Sequence, residues 1–415
     1  VGKNYVDMAN FDKVKKTIDE KNFDPFIPDY INLSSYKKKG GYEIANKIKN
    51  GVISKKQVLD SLNESGLKGK GGAGFPTGKK WEIVSNYNGK KYVAVNGDEG
   101  EPGTFKDRSY LESDPHRFLE GALIASYFIN AQKVYIYMRD EYPTVIKILL
   151  DEINKMEDEE IIPKDFFIVR RGAGAYICGE ESAMIESIEG KRGLPRHRPP
   201  YVAEIGLFGC PTLTNNLETL FWVRDIIEKG AKWFAEKGSN GNKGFHSFSV
   251  SGRVKNPGVK VAPAGITIQQ LIDKYCDGMA DGHTFKGYLP GGASGGILPA
   301  TMNDIPLDYG SKELMDAGCF LGSAAVVVLS DHDNMKDVAL NLLKFFEEES
   351  CGQCTPCRSG TEKTVKLMQE KNWNKEKLKD LSEVMAQASI CGLGQAATNP
   401  LNSVLKYFSN EITYD

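Results

Sequence analysis

The hydrophobic and polar positions of the chain change periodicity near residue 240 and again near residue 334, and each pattern predicts a different kind of structure. Between residues 51 and 240, short apolar runs alternate with longer segments whose apolar residues recur every three to four positions. The predicted strands are 91–96, 134–138 and 166–170, and the predicted helices are 54–62, 114–128, 143–156 and 181–189. Strands that alternate with helices of this length indicate an α/β domain with a largely parallel, doubly wound sheet.

A hairpin pattern replaces this alternation after residue 240. The segments 248–254 and 259–262 flank an Asn-Pro-Gly turn, and a helix at 266–275 and a strand at 324–329 complete a small α+β unit. From residue 334 onward the apolar residues keep helical spacing on both sides of a cysteine-rich segment. We therefore expect an N-terminal extension (1–50), an α/β domain (51–240), an α+β domain (241–332) and an all-α domain (333–415).

The composition narrows the functional classes. The formal net charge is −2 over 415 residues, which offers no basic surface for nucleic acid. No apolar run is long enough to span a bilayer, and the first residues lack the apolar region of a secretory signal. Because the eight cysteines point to a reducing compartment, we predict a cytoplasmic protein without direct membrane insertion, which a larger complex could still attach to a membrane.

Four of the cysteines carry the strongest chemical signal in the chain. Cys351, Cys354 and Cys357 have Cys-x-x-Cys-x-x-Cys spacing, and Cys391 follows downstream. This is the ligand pattern of a cubane [4Fe–4S] cluster. Zinc is an alternative, but it usually takes two separated pairs of ligands, and the clustered cysteines cannot all pair as disulfides in so short a loop. The other four cysteines are interpreted as core or incidental thiols.

A glycine-rich loop spans residues 69–81. Gly69, Gly71 and Gly74 match G-x-G-x-x-G, but a predicted helix precedes the loop where the usual dinucleotide-binding fingerprint requires a strand. Glycines still allow backbone N–H groups to approach a phosphate, and Lys80 adds a positive charge. The alternative is a plain flexible turn.

Polar segments follow several of the predicted strands. Asp98, Glu99 and Glu101 come directly after the first strand, where doubly wound sheets bind ligands. Their carboxylates can accept hydrogen bonds from sugar hydroxyls and amides, hold a divalent metal, or form a solvated acidic loop. Further segments are 171–193, with two glutamates at a helix start, His197–Tyr201 and 211–219, whose paired asparagines can cap a helix or hold a flavin.

These five segments, followed by the cysteines, resemble the flavin subunit that oxidises NADH in respiratory complex I, in NAD-linked formate dehydrogenases and in NAD-dependent hydrogenases. The resemblance covers residues from about 45 to the end. It implies a Rossmann-like FMN domain, a ubiquitin-like (β-grasp) domain and a C-terminal helical bundle with a [4Fe–4S] cluster, in the order that the periodicity predicts.

The resemblance also implies roles for individual residues. The FMN-binding residues would be Gly69, Gly71, Gly72, Lys80, Asn96, Asp98, Glu99, Tyr176, Glu180, Asn215 and Asn216. The NADH-binding residues would be Phe75, Glu101, Glu181, Arg198 and Tyr201. Ile83 stands where relatives often carry an aromatic residue, and Gly97 replaces an expected alanine. No general acid or base is expected; Glu99 and Glu101 would lie nearest the reacting atoms.

The implied activity is that of an NADH:acceptor oxidoreductase (diaphorase) subunit. FMN would take two electrons from NADH as hydride and pass them singly to the cluster. The expected partners are a thioredoxin-like [2Fe–2S] subunit and a further iron–sulfur catalytic subunit, and the motifs are most similar to those of formate dehydrogenase members. The alternatives are a complex I or a bifurcating hydrogenase subunit, a non-catalytic iron–sulfur assembly subunit, and a zinc-stabilised nucleotide-binding module.

Overall fold

The computed structural model of the chain describes residues 2–6 and 8–414. A four-stranded parallel sheet lies at the centre of its first part. Its strands are β1 (Tyr92–Gly97), β2 (Lys133–Arg139), β3 (Phe167–Gly172) and β4 (Thr212–Asn216). The helices are α1 (Phe11–Asp19), α2 (Leu33–Lys37), α3 (Glu43–Lys49), α4 (Lys55–Ser65), α5 (Thr77–Ser85), α6 (Lys106–Ser113), α7 (Pro115–Ile129), α8 (Pro143–Asp158), α9 (Glu181–Ile188), α10 (Leu217–Lys229) and α11 (Ala231–Ala235). The predicted α/β alternation is confirmed, and β4 and α10 were not predicted.

The local sequence explains where these helices begin. Ser54 and Gln57 form the predicted capping box of α4, in which each side chain bonds the backbone of the other residue. Asp114 caps α7, and Pro115 occupies the first turn, where its missing N–H costs nothing. The order of the strands is β3-β2-β1-β4, so the direction of winding reverses between β1 and β4.

A five-stranded mixed sheet follows, in the order β6-β5-β9-β7-β8. Its elements are β5 (Phe245–Gly252), β6 (Gly258–Pro263), α12 (Ile268–Tyr275), β7 (Phe285–Leu289), β8 (Leu298–Pro299), α13 (Lys312–Asp316) and β9 (Ala325–Ser330). The β5–β6 hairpin around the Asn-Pro-Gly turn is confirmed. The sequence pattern did not predict β7 and β8.

The last part of the chain is helical. It contains α14 (Met335–Glu348), α15 (Thr355–Gln369), α16 (Lys375–Ala388), α17 (Gly392–Ala396) and α18 (Asn399–Tyr407). None of the helices in the described part of the chain has both the length and the apolar character needed to cross a bilayer. The α/β plus α+β plus all-α fold class is confirmed, whereas the proposed domain boundaries stay a prediction.

The parallel sheet is covered on both faces, as its apolar strands require. One core contains Val93 and Val95 of β1 and extends to N-terminal residues such as Ile44. The other contains Ala94 and continues through α9 into the helical bundle, where Phe346 is fully buried. A continuous core therefore joins the first sheet to the helices that carry the cysteines.

Candidate functional site

Four of the predicted flavin residues meet at the reversal between β1 and β4. β1 ends at Asn96 and Gly97, with Asp98 next in the chain, and β4 ends at Asn215 and Asn216. The two strand ends are in register, and Asn216 Nδ2 donates to the Asn96 carbonyl at 3.4 Å. Ligands of open α/β sheets bind in the crevice at such a reversal. The structure thus brings these residues together at the expected place.

The asparagines of β4 are held by hydrogen bonds within the protein. Asn215 is buried, and its Oδ1 accepts from Trp81 Nε1 at 2.9 Å. Asn216 caps α10, where its Oδ1 accepts from the Glu218 backbone N–H, and its Nδ2 donates to Asp107 Oδ2 at 2.7 Å. Both amide groups therefore have a fixed orientation beside the crevice.

Asp98 is an acceptor with unused capacity. Its side chain is 2% exposed, and its buried Oδ2 has no hydrogen-bond partner among residues 2–6 and 8–414. Burial raises the pKa of Asp98 to about 7, although Arg139, whose Nε lies 4.0 Å from Oδ1, opposes the shift. A buried acceptor without a donor costs free energy, and the hydroxyl groups of a ribityl chain are suitable donors. This orphaned oxygen fits the predicted FMN.

Asp98→Asn is expected to stabilise the flavin-free protein, and more at pH 8 than at pH 5. The folded-state pKa of about 7 exceeds the ordinary 3.8, so ionisation of Asp98 destabilises the folded protein increasingly as the pH rises from 3.8 to about 7. At about 1.4 kcal/mol per pKa unit, the gains at the two pH values differ by roughly 2 to 3 kcal/mol. Urea unfolding at both pH values measures them. The control is Asp60→Asn, on an exposed position of α4, and equal gains for Asp98→Asn at both pH values would contradict the raised pKa.

The glycine-rich loop lies between α4 and α5 and adjoins the same crevice. The Lys70 backbone N–H donates to Thr219 Oγ1 on α10 at 2.8 Å. A Cβ atom at Gly71 would lie 3.2 Å from Asn216 Cβ, so the loop backbone runs directly against the end of β4. The segment before the loop is a helix, as predicted. The loop is shorter than the predicted 69–81, because α5 begins at Thr77, and Lys80 therefore lies on this helix. The glycine-rich loop and the ends of β1 and β4 therefore form one site.

Two lysines that the sequence analysis did not identify anchor the glycine loop to the second sheet. Lys70 Nζ is buried and donates to the Phe245 carbonyl at 2.5 Å, and burial lowers the pKa of Lys70 to about 8. Lys68 Nζ pairs with Asp308 Oδ2 at 2.8 Å. The local sequence could not predict these contacts, because the partners Phe245 and Asp308 lie far along the chain.

Gly74→Ala is expected to distort the loop and lower the flavin content. Gly74 has a φ of +63°, and a Cβ atom there would overlap the Tyr309 side chain. The left-handed conformation costs about 1 to 2 kcal/mol and the overlap about 1 to 3 kcal/mol. Gly89→Ala is the matched control, since Gly89 has a φ of +86° but no atom within 4 Å of its Cβ position. Equal effects of both variants on thermal midpoint and bound flavin would rule out the Tyr309 contact as the cause.

The three acidic residues after β1 point to separate partners. Glu99 Oε1 accepts from the Asp107 backbone N–H at 2.8 Å, and burial raises the pKa of Glu99 to about 7. Glu101 Oε1 accepts from the Ser294 backbone N–H at 2.8 Å, and burial raises its pKa as well. Within the described residues, Asp98, Glu99 and Glu101 do not form a group with metal-ligand spacing. The burial of Glu99 shows that the alternative of a solvated acidic loop is wrong, whereas the divalent-metal alternative gains no support from the separate partners of these carboxylates.

Charged side chains pair across the start of α9. Lys80 Nζ lies 3.2 Å from Glu181 Oε2, with each side chain about a quarter exposed. Glu180 caps α9 by accepting from two backbone N–H groups, and its other oxygen pairs with Arg198. The structure thus places the predicted phosphate-side lysine in direct contact with a predicted NADH-side glutamate.

The predicted NADH-side aromatics are exposed. Phe75, in the glycine loop, is 45% exposed, and Tyr201 is 57% exposed. Ile83 is partly buried on α5. Exposed aromatic rings of this kind offer stacking surfaces for a planar ligand.

Tyr176 connects the crevice to the helical bundle. Its backbone N–H donates to Glu349 Oε2 at 3.0 Å, and its ring contacts Phe345 with centroids 5.1 Å apart. Its hydroxyl donates to Glu101. Glu349 directly follows α14 and precedes Cys351 by two residues, so Tyr176 joins the flavin-side crevice to the cysteine-rich loop.

The four predicted cluster cysteines converge as free thiols. Cys351 and Cys354 are partly buried in the loop that ends at α15, Cys357 lies in the first turn of α15, and Cys391 precedes α17. Burial raises the pKa of Cys357 to about 11, and the other three thiols raise it further while Ser350 opposes the shift. Four unpaired thiols on neighbouring segments match the donor set of a [4Fe–4S] cluster.

A glycine allows this convergence. A Cβ atom at Gly394 would lie 2.8 Å from Cys357 Cβ, so a side chain there would push α17 away from α15. Burial raises the pKa of Cys391, and the backbone N–H groups of Leu393 and Gly394 oppose this shift. Backbone N–H groups directed at a sulfur favour its anionic, metal-bound form.

Comparisons with known proteins agree with both halves of the site. Residues 62–225 match the family model of the Nuo51 FMN-binding domain, and residues 337–415 match that of the NADH-ubiquinone oxidoreductase-F iron–sulfur binding region. The F 2 subunit of NADH-quinone oxidoreductase in Rhizobium meliloti is 40% identical over 93% of this chain and 94% of its own length. The corresponding F subunit in Aquifex aeolicus is 39% identical over 92% and 91%.

A solved structure shows the same fold. An NAD+-reducing [NiFe]-hydrogenase in the H2-reduced state superposes with a TM-score of 0.85 at 31% identity, covering 98% of this chain and 72% of the hydrogenase chain. The predicted family, FMN, [4Fe–4S] cluster and NADH substrate are confirmed, while the residue-by-residue site assignments stay predictions. The chain therefore belongs to the family of NADH-quinone oxidoreductase F subunits and is an NADH dehydrogenase component of a multi-subunit oxidoreductase.

Proposed function

We propose that FMN lies at the ends of β1 and β4, with its phosphate on the glycine loop, and that electrons leave through the cysteine cluster to an iron–sulfur partner. The main support for this proposal is the buried Oδ2 of Asp98, which lies where the strand order of the sheet reverses. This oxygen accepts no hydrogen bond from any of the described residues. When bound, FMN supplies the conversion of a two-electron hydride donor into single electrons.

The residues of the chain bind and orient. Gly71 and Gly72 are proposed to direct backbone N–H groups at the phosphate, whereas the Gly69 N–H donates to the Phe75 carbonyl at 2.8 Å and so shapes the loop instead. Lys80, which pairs with Glu181, is proposed to turn toward the phosphate when FMN binds. Asp98 accepts from ribityl hydroxyl groups, and the fixed asparagines shape the crevice around the flavin ring. Because no side chain must exchange a proton with the substrate, positioning is the main contribution of the protein.

The NADH site is proposed on the exposed side of the crevice. Phe75 and Tyr201 provide rings for stacking on the nicotinamide or adenine, and Arg198, close to Tyr201 in the chain, is proposed as a partner for the pyrophosphate. Glu101 is proposed to border the nicotinamide end of the NADH site. Its hydrogen bonds with Ser294 and Tyr176 fix the position of its carboxylate.

Glu181→Gln is expected to raise kcat/KM for NADPH relative to NADH by about tenfold, which corresponds to about 1.4 kcal/mol. A carboxylate near the adenine ribose repels a 2′-phosphate, and the substitution also releases Lys80 toward it. Steady-state rates with both nucleotides measure the ratio. Glu82→Gln, which removes an exposed carboxylate paired with Lys79, is the control for long-range charge. An unchanged NADPH rate would contradict the assignment of Glu181.

The absorption spectrum of the purified chain tests the proposal as a whole. We expect a yellow-brown protein whose flavin band bleaches when NADH is added anaerobically. A brown protein without flavin would instead support an iron–sulfur assembly subunit, and a colourless zinc protein would support a nucleotide-binding module. Asp98→Ala should lose flavin but keep its iron, since Asp98 is not one of the proposed cluster ligands.

We further propose a thioredoxin-like [2Fe–2S] subunit and an iron–sulfur catalytic subunit as partners, in the cytoplasm, with an NAD-dependent formate dehydrogenase as the parent complex. The eight free cysteines support a reducing compartment. Relatives named for quinone and hydrogen chemistry favour complex I or a hydrogenase as the second candidates. Purification of the tagged chain from its own cells, followed by NAD+ reduction assays with formate or hydrogen and NADH oxidation with quinone, distinguishes the three.

A further inference from the structure

We propose that His283, Asp331 and His332 form a binding site for a divalent transition-metal ion such as Zn²⁺ at one end of the mixed sheet. One ligand atom from each residue lies within 4.8 Å of the others, and the two imidazole rings have centroids 4.7 Å apart. The chain has five histidines, and two of them meet here beside a carboxylate. The site is separate from the four cysteines and from every residue proposed to bind FMN or NADH.

The backbone holds the three residues in place before any ion binds. β7 and β9 are antiparallel, with Phe285 opposite Ser330. Beyond this pair, the Asp331 N–H donates to the Thr284 carbonyl at 3.0 Å, and Asp331 Oδ1 accepts from the Thr284 N–H at 2.9 Å. His283 and His332 therefore extend from two chain segments that are hydrogen-bonded to each other, so little conformational freedom is lost on binding.

A buried serine orients the first imidazole. Ser330 is fully buried, and its Oγ lies 2.9 Å from His283 Nδ1. Ser330 is itself fixed, since its N–H donates to Asp333 Oδ2 at 2.8 Å. This bond leaves His283 Nε2 for the ion, which is how metal-binding histidines are commonly oriented by an outer hydrogen bond. Asp331 keeps Oδ2 as a ligand, because Oδ1 holds the Thr284 N–H.

The charge and the donor set select the class of ion. The nearby cations are already paired, with Arg253 on Asp333 at 2.8 Å and Lys286 on Glu411 at 2.9 Å, so neither of them neutralises Asp331 when an ion arrives. Two imidazoles and one carboxylate suit Zn²⁺ and similar ions, whereas Ca²⁺ and Mg²⁺ require oxygen ligands. Three protein ligands leave a fourth position for water or an anion.

The test uses the full chain with its FMN and iron–sulfur cluster intact, so that the cluster occupies the four cysteines. One equivalent of Zn²⁺ is added anaerobically, binding is measured by calorimetry, and the zinc K-edge absorption spectrum identifies the ligands. We expect one site with nitrogen and oxygen scatterers at about 2.0 to 2.1 Å and no sulfur at about 2.3 Å. His332→Ala and Asp331→Asn should each weaken binding at least about tenfold.

Asp281→Asn is the matched control, because it removes an exposed carboxylate of the same segment that pairs with Lys255 instead. Its Zn²⁺ affinity should equal that of the unsubstituted chain. Sulfur scattering, no measurable binding, or equal affinity in the His332 and Asp331 variants would each overturn the proposal. None of these outcomes depends on flavin binding or NADH oxidation, so they are independent of the proposed function.

Discussion

Replacing Cys391 with alanine is expected to abolish the iron–sulfur cluster while leaving the flavin site in place. A [4Fe–4S] cluster needs four thiolates, and Cys391 is the one ligand supplied from outside the loop and first turn that hold Cys351, Cys354 and Cys357. Iron per chain should fall from about four to below one, and electron delivery to the iron–sulfur partner should fall at least about 100-fold. Metal analysis and partner reduction under anaerobic conditions measure these losses, and NADH should still bleach the flavin band.

Cys276→Ala is the matched control for losing a buried thiol. Cys276 is fully buried in the core of the mixed sheet, far along the chain from the cluster, and burial raises its pKa to about 11, as expected for an inert thiol. Its truncation should cost about 1 kcal/mol of stability and leave iron unchanged. Full iron content in the Cys391 variant, or equal iron loss in the Cys276 variant, would contradict the assignment of the cluster ligands.

Local sequence patterns were sufficient for much of the fold. The capping box at Ser54, the Asp114-Pro115 pair and the Asn-Pro-Gly turn each determine a boundary through neighbours a few residues away, and the structure confirms all three. β8 has only two residues, and a register shift between Phe285 and Gly287 interrupts β7, so neither strand shows a regular periodicity in the sequence. β7 pairs with β9, which lies later in the chain, and β8 pairs with β7, so no local signal predicts either pairing.

In the candidate site, too, some features were predictable from local sequence patterns and others depend on residues far apart in the chain. Spacing within twelve residues indicated the cluster through Cys351, Cys354 and Cys357. The environment of Glu101 depends instead on Ser294, 193 positions away, whose backbone N–H holds the carboxylate. Sequence patterns report ligands that are close in the chain, whereas the burial and pairing of carboxylates depend on tertiary contacts.

Lys106→Met is expected to destabilise the flavin domain by about 3 to 5 kcal/mol and to lower its FMN affinity. Lys106 Nζ lies 2.9 Å from Asp107 Oδ1, 3.1 Å from Glu218 Oε2 and 3.3 Å from Asn216 Oδ1, with 2% of its side chain exposed. Burial alone lowers the pKa of Lys106, but Asp107 and Glu218 more than offset it and raise the pKa above the usual value. Methionine has a similar length but leaves both carboxylates buried without their cation. The thermal midpoint should fall by roughly 10 °C, measured together with bound flavin.

Lys79→Met distinguishes this buried network from an ordinary ion pair. Lys79 is 60% exposed and contacts Glu82 at 3.1 Å, so its loss should change stability by less than about 0.5 kcal/mol and leave flavin bound. Lys106→Arg would keep the charge but place a larger, planar group in a site that fits a single ammonium, and partial loss is expected. If Lys106→Met changed stability and bound flavin as little as Lys79→Met, the carboxyl groups of Asp107 and Glu218 would have to be neutral in the folded protein. In that case a protonated Asp107 would accept the hydrogen bond that orients Asn216. Raising the pH far enough to ionise Asp107 should then lower the affinity for flavin.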